Sequence, residues 1–275
     1  MDASIIILAY NKSEFTALCL QSLLCTRGVR FEIRVVDNGS TDNTPEILDI
    51  YKKAFTGLGQ GFHVIRNAEN IGAPAGRNQA MKAARGRYFA LLDNDIMAGS
   101  ADWLHTMIQC LETAPETGML GPKLIYAEPP HRIQCAGAGI SKRGKVLFMG
   151  RGMDRQDPAF RGQRQVQALI SACVVLPQSV YKSTGDMDTG FSPVQFEDLD
   201  YCYRIREQGY RLLVVPDVEM YHWESVTTAG TPELNNPYNV ARNSHLFKKK
   251  WHHVFEKEDG PAEDDARWRG WDVNR

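Results

Sequence analysis

The chain has 275 residues, 43% hydrophobic and 24% charged, which excludes a disordered chain, a collagen and a coiled coil and allows one large or two small domains. Lysine plus arginine is 32 and aspartate plus glutamate 33, a net charge of −1, so no nucleic-acid partner held mainly through phosphates is expected. No apolar run approaches the ~20 residues that span a bilayer; the longest, Ile5–Leu8 and Ala168–Leu176, are strand-sized. Met1-Asp2-Ala3-Ser4 has neither the basic nor the apolar region of a signal peptide. The six cysteines include no Cys-x-x-Cys pair, so neither a disulfide framework nor a zinc site is expected, and the setting reads as reducing and cytoplasmic.

Ile5-Ile6-Ile7-Leu8 is a strand buried on both faces. Phe15, Leu18, Cys19 and Leu23 then recur at helical spacing over 14–26. Phe31 to Val36 is a second strand, and Thr41 to Pro45 supplies the cap and early proline of a helix carrying Ile47, Leu48, Tyr51 and Phe55. Phe62 to Ile65 is a third strand, Pro74 opens a helix that stops at Gly86, and Tyr88 to Leu92 is a fourth strand. Alternating strands and helices predict parallel βαβ units in a three-layer α/β domain, with ligands outside the carboxyl ends of the strands. The segments after those ends are Tyr10-Asn11, Asp37 to Asp42, Asn67 to Asn78 and Asp93-Asn94-Asp95, which gathers polar and acidic groups on one edge. A dinucleotide fingerprint is absent, because residues 9–16 contain no glycine.

Asp93 and Asp95 close a hydrophobic strand two residues apart, so both carboxylates can face one cation. Oxygen ligands suit Mg²⁺ or Mn²⁺, which share their shell with phosphate oxygens; the alternative is a plain strand-end turn. Asp37 follows a buried strand, where an acid can accept hydrogen bonds from a ribose or a base, and Thr41 or Asp42 can act as a helix cap.

In order along residues 4–225 stand Ile7-Leu8-Ala9-Tyr10-Asn11, Val36-Asp37-Asn38-Gly39-Ser40-Thr41-Asp42, Asn70-Ile71-Gly72 with Gly76-Arg77-Asn78, and Leu91-Leu92-Asp93-Asn94-Asp95. Gly185-Asp186-Met187-Asp188 with Gly190-Phe191, Phe196 to Arg204, Val215-Pro216-Asp217 and His222 follow. This series resembles glycosyltransferase family 2, most closely its rhamnosyltransferase-like branch of cell-surface polysaccharide enzymes. The resemblance implies the GT-A fold, a Rossmann-like α/β/α arrangement with a mostly parallel central sheet. It implies a nucleotide-diphosphate sugar donor, bound by Ala9, Tyr10, Asn11, Asp37, Asn70, Gly72, Arg77, Asn78, Asp93 and Asn94. It also implies Mn²⁺ or Mg²⁺ on Asp93, Asp95 (the DXD motif) and His222, and an inverting displacement in which Glu197-Asp198 is the acidic pair and Asp198 the base. The implied acceptor is a glycan, a lipid-linked sugar or another hydroxyl compound.

The chemistry asks for those residue types. A departing nucleoside diphosphate gains negative charge, which a cation stabilises, and the attacking hydroxyl needs a carboxylate base on the opposite face of the sugar. Asp198 opens a helix whose Leu199, Cys202, Tyr203 and Arg206 form a stripe ended by Gly209; the simpler role is a first-turn acid on the helix dipole. Crowding by Glu197 and Asp200 is expected to raise a neighbour's pKa. His222 is either a ligand or a structural histidine. Arg77 and Asn78, in the first turns of the helix opened by Pro74, suit phosphate or ribose.

The expected organisation is a glycosyltransferase domain over 1–225, with a nucleotide-sugar half (1–97) and an acceptor half (98–225), then a helical extension and polar tail over 226–275. Residues 127–167, rich in Gly, Pro and Arg, read as a mobile stretch, either a lid or a solvated insertion. Ala168 to Leu176 is a predicted strand, and Phe191, Phe196 and Trp223 are candidate sugar-stacking or core aromatics. Asn236-Pro237 starts a helix burying Tyr238, Ala241, Phe247 and Trp251. Its Lys248-Lys249-Lys250 run, with Trp251 and Phe255, is either a peripheral membrane contact or a basic last turn. Two rival functions are a sugar nucleotidyltransferase, which wants a glycine-rich basic loop where Tyr10-Asn11-Lys12-Ser13-Glu14 stands, and a non-catalytic nucleotide-sugar-binding module.

Overall fold

The computed structural model describes residues 1–224, 226, 231, 234 and 236–262. The first four strands are β1 (Ala3–Ala9), β2 (Phe31–Asp37), β3 (Gly61–Arg66) and β4 (Tyr88–Asp93), joined by helices α1 (Ser13–Leu23), α2 (Thr44–Gly57) and α3 (Ala73–Ala83). After them come β5 (Ile96–Ala98), α4 (Trp103–Thr113) and β6 (Thr117–Tyr126). Short strands β7 (Ile133–Cys135), β8 (Ala138–Ile140), β9 (Val146–Phe148) and β10 (Arg164–Gln165) precede β11 (Cys173–Pro177). The chain then forms α5 (Gln178–Thr184), α6 (Glu197–Glu207), β12 (Arg211–His222) and α7 (Pro237–Phe255).

The main sheet runs β10-β12-β6-β11-β4-β1-β2-β3, with β5 on β12 and β7 on β6. β3, β2, β1 and β4 are mutually parallel, β12 is parallel to β6, and β11 enters antiparallel between β4 and β6. Alternate residues of the buried strands face opposite layers. Ile5, Ile7, Ile33 and Val35 meet α1, α2 and α4 through Leu20, Leu48, Phe55 and Trp103. Ile6, Val36 and Leu91 meet the other layer, which holds Met81 of α3, Val180 of α5, Tyr203 of α6 and Phe247 and Trp251 of α7. That gives the three layers expected, with α7 packed into the main core. Leu8 pairs with Asp93, and Ala9 with Asp37, so the carboxyl ends of three strands lie level.

Several expectations need correction. Of the predicted strand Ala168–Leu176, only Cys173 onward is strand. Ala168 makes a lone bridge to Ala138, and the chain turns at Ser171-Ala172 beside the end of β4. Residues 127–167 are neither a solvated insertion nor a loose stretch. They contribute four short strands, bury Ile133, Cys135, Ala138 and Ile140, and are tied down by Arg151–Glu224 and Arg155–Glu219 ion pairs. Strand β12 passes Pro216 through a register shift and continues to His222.

On α7, capped by the Asn236 side chain, the buried stripe is Asn243, Phe247, Trp251 and Phe255, four residues apart, whereas Tyr238 and Ala241 are exposed. Trp251 and Phe255 are inside the core, so they cannot lie on a membrane, and the lysine run sits before the last turn, which carries His252 and His253. Lys250 pairs with Asp200 and Asp188. No helix among the described residues is long and apolar enough to cross a membrane. All six cysteines are free, and four are buried. The tail beyond residue 262 lies outside the described residues.

Candidate active site

A cavity of about 250 Å³ opens at the carboxyl ends of β1 and β4. Its lining brings together Tyr10, Asn70, Arg77, Asp93, Asn94, Asp95, Glu197, Asp198 and His222. Nine residues expected to form the site, scattered from position 10 to position 222, therefore meet around one space.

Asp93 ends β4, and Asp95 follows in a tight turn rather than in extended chain, so the turn aims the second carboxylate. β5 returns the chain antiparallel to β12, with Ile96 opposite His222, and this pairing delivers the imidazole. One ligand atom from each of Asp93, Asp95 and His222 lies within 4.8 Å of the others. Asp95 and His222 are 5% and 7% exposed. Asp95 Oδ1 is buried without a hydrogen-bond donor and stands 3.3 Å from His222 Nε2. His222 Nδ1 is 2.6 Å from Gln134 Oε1. An amide oxygen there accepts from Nδ1–H, which turns Nε2 toward the two carboxylates. Burial disfavours the His222 cation, but the Asp95, Asp93 and Glu224 carboxylates together outweigh it and raise the pKa. Burial raises Asp93, and Arg77 holds it down in part. An orphaned carboxylate oxygen beside an aligned imidazole is a donor set that a divalent cation fits.

Arg77, in the second turn of α3, is almost fully buried. Its guanidinium pairs with Asp93 through Nη2, lies 3.5 Å from Glu197 Oε1 and donates to the Ser171 carbonyl at 3.3 Å. It therefore joins the β4 acid to the α6 acid instead of projecting freely at a phosphate.

The acidic pair sits at the start of α6, where backbone N–H groups favour negative charge. Asp198 Oδ1 accepts from Leu199 N at 2.8 Å and Oδ2 from Ser171 N at 3.3 Å. Burial pushes Asp198 up against these bonds. Glu197 is more enclosed; burial and then the Asp198 charge push it up to about 8. The expected crowding is thus between Glu197 and Asp198. Asp200 faces away, toward Trp251 and Lys250. Two residues ahead of the pair, Gln195 and Phe196 have φ of 84° and 71°, a conformation L-residues rarely adopt and one that clusters at functional sites.

The other expected residues have these partners within the protein. Asn78 is buried and clamps Met187 through both its amide atoms. Asn94 borders the cavity, yet its amide is committed to Asn11 O and Thr16 Oγ1. Asp37 accepts from Ser40 N, and Asn11 from Thr41 N, in the turn beside β1. Ala9 is buried at the end of β1. At Gly72, with φ of 89°, a Cβ would stand 2.9 Å from Ser192 Oγ, and at Gly39 it would stand 2.6 Å from the Glu69 carbonyl carbon. Asp42 caps two helices, accepting from Ser13 N and from Thr44 N. Phe191 is core, Phe196 packs on Phe247, and Trp223 packs edge-on against Phe15.

Sequence reasoning missed Gln134, Ser171 and the Pro193–Gln195 wall of the cavity. None has a local signature. Asn38, within the recognised Asp37–Asp42 string, was also passed over; its amide ties Asn67, Asn70 and Gly72 together beside the cavity.

The three layers and the cavity at the carboxyl ends define the GT-A fold of glycosyltransferases. A mannosyltransferase from Pyrobaculum calidifontis, in complex with GDP-mannose and Mn²⁺, superposes with a TM-score of 0.59 at 18% identity, covering 80% of this chain and 56% of that one. Residues 4–134 match the model of glycosyl transferase family 2. Relatives include the O-antigen biosynthesis protein RfbC of Myxococcus xanthus, 27% identical over 82% of this chain and 17% of that protein. A poly(ribitol-phosphate) beta-glucosyltransferase of Bacillus spizizenii is 38% identical over 75% of this chain and 39% of its own length. The chain thus spans well under half the length of these curated relatives.

Proposed function

We propose that the protein transfers a sugar from a nucleoside-diphosphate sugar to a hydroxyl of a cell-surface glycan or its lipid-linked precursor, with inversion at the anomeric carbon. The observation that carries this reading is the meeting of Asp93, Asp95 and His222 with Glu197 and Asp198 around a single cavity.

Asp93, Asp95 and His222 would hold Mn²⁺ or Mg²⁺, and the mixed carboxylate and imidazole set favours Mn²⁺. Bound there, the cation supplies Lewis-acid neutralisation of the leaving diphosphate. Tyr10 and Asn70 line the donor side. Asp198 takes the proton of the acceptor hydroxyl as its oxygen bonds to the anomeric carbon, while the diphosphate leaves from the opposite face with the bonding electron pair. Burial and the Asp198 charge favour the protonated form of Glu197, which lessens the repulsion that an ionised Asp198 meets. Arg77 holds Asp93 and Glu197 at a constant separation.

The test is thermal stabilisation by a panel of nucleotide sugars with and without Mn²⁺, followed by product analysis with a mixed acceptor panel. A ligand specific for the folded state raises the melting temperature. Mn²⁺-dependent stabilisation with acceptor-dependent release of nucleoside diphosphate is expected. Pyrophosphate release would instead indicate nucleotidyl transfer, and binding without turnover a non-catalytic module.

A further inference from the structure

Helix α7 lies behind α6 and contributes no side chain to the cavity wall, yet one of its residues grips the loop that makes that wall. Asn243 is fully buried. Its Nδ2 donates to the carbonyls of Phe191 at 2.6 Å, Val194 at 3.0 Å and Gln195 at 3.0 Å. Its Oδ1 accepts from Arg242 Nε at 3.0 Å and Nη2 at 2.8 Å, and Arg242 Nη2 also donates to the Ser192 carbonyl. An amide has two N–H bonds, so three carbonyls use both and share one. On the other flank, Ala73 N donates to the Pro193 carbonyl at 2.7 Å, which ties the same loop to the donor side.

The loop leads directly into left-handed Gln195 and Phe196 and then into Glu197 and Asp198. Left-handed L-residues persist only where their surroundings over-determine them. Asn243 binds the carbonyls of the residues before and at the first of them. Phe247, one turn further along α7, packs on Phe196, with ring centroids 5.8 Å apart. The backbone that aims Asp198 is thus held from α7, outside the segment that matches the family.

We propose that Asn243 is a positioning residue for the acceptor-side base: by holding residues 191–195 it sets the entry into α6 and so the place of the Asp198 carboxylate. The inference rests on the reading of Asp198 as base. Asn243→Asp keeps the shape and the acceptor for Arg242 but removes the donors; Asn243→Ser keeps one donor. Rates are measured well below each variant's melting temperature, at saturating Mn²⁺, alongside the donor dissociation constant. We expect kcat to fall by about 100-fold in Asn243→Asp, the scale of a 1 Å misplacement, and by less in Asn243→Ser. Donor affinity should stay within about threefold, because β4 and the cluster of Asp93, Asp95 and His222 are untouched. Added to Asp198→Asn, Asn243→Ser should cause almost no further loss, since both act through one group.

A kcat within threefold of wild type in either folded variant overturns the proposal, as does full additivity with Asp198→Asn or a parallel loss of donor affinity. If Asn243→Asp does not fold, the Asn243→Ser rate and the double variant decide alone. An unimpaired Asp198→Asn enzyme would sink the reading of the base; an impaired one beside an unimpaired Asn243→Ser sinks only this inference.

Discussion

Replacing Asp198 by asparagine removes a proton acceptor and little else. Oδ1 remains to accept from Leu199 N, as it does at 2.8 Å. The new amide NH₂ would meet Ser171 N, where Oδ2 now accepts at 3.3 Å, and a lost weak bond of that kind costs about 1 kcal/mol. Losing a charge from the first turn of α6 costs roughly 0.3–1 kcal/mol. Against this, the buried Glu197 no longer faces a like charge, the second cause of its raised pKa. These terms oppose, so the melting temperature should move by only a few degrees. A general base contributes about 10²–10⁴ in rate, or roughly 2.7–5.4 kcal/mol of barrier at 1.36 kcal/mol per decade. The assay is the initial rate of nucleoside diphosphate release at saturating donor and acceptor, with donor affinity measured by calorimetry. The variant should bind donor as wild type does and turn over at least 100-fold more slowly. A rate within tenfold of wild type would refute the assignment, and so would a loss of donor affinity as large as the loss of rate.

Three further outcomes are expected. Glu197 binds a proton in the folded state between its ordinary 4.5 and about 8 that the unfolded chain does not, so its contribution is full below 4.5 and is lost as pH rises toward about 8. Glu197→Gln keeps the neutral form throughout, so its melting temperature should fall less steeply than wild type from about pH 5 to about pH 8; parallel curves would count against the raised value. Gln134→Leu frees the His222 ring and should weaken Mn²⁺ binding by about 10–100-fold, read from free Mn²⁺ by electron spin resonance; an unchanged dissociation constant would remove Gln134 from the site. Asp42→Ala uncaps α1 and α2 together and should cost roughly 1–3 kcal/mol in urea unfolding; a loss under about 0.5 kcal/mol would show the two caps to be dispensable.

The first ninety-odd residues were legible because their signals are local. Ile5–Leu8 and Phe31–Val36 are apolar runs followed at once by polar turns, and parallel strands must present those turns on one edge. Asp93, Asp95 and the Glu197-Asp198 pair stood out by chemical type and position. Errors gathered where contacts are long-range. Asn78 has the residue type of a ligand-binding amide, yet it clamps a backbone 109 residues away in sequence. The arginines of 127–167 read as a solvated stretch because their partners, Glu219 and Glu224, arrive much later in the chain. Tyr238 was expected inside because helical spacing does not say which stripe of α7 faces α6; the contact with Tyr203 and Asp200 selects the stripe of Asn243, Phe247 and Trp251.

By itself the amino-acid order determined the alternation of strands and helices, the acids that carry charge, and the edge of the sheet where they emerge, since each follows from periodicity and neighbours a few residues apart. Only the tertiary structure decided that His222 reaches Asp95 by way of β5, that Arg77 joins Asp93 to Glu197, and that Asn243 holds the approach to Asp198. Those contacts bridge from 16 to 127 residues of sequence, and no local rule can anticipate which distant partner a folded sheet brings within hydrogen-bonding reach.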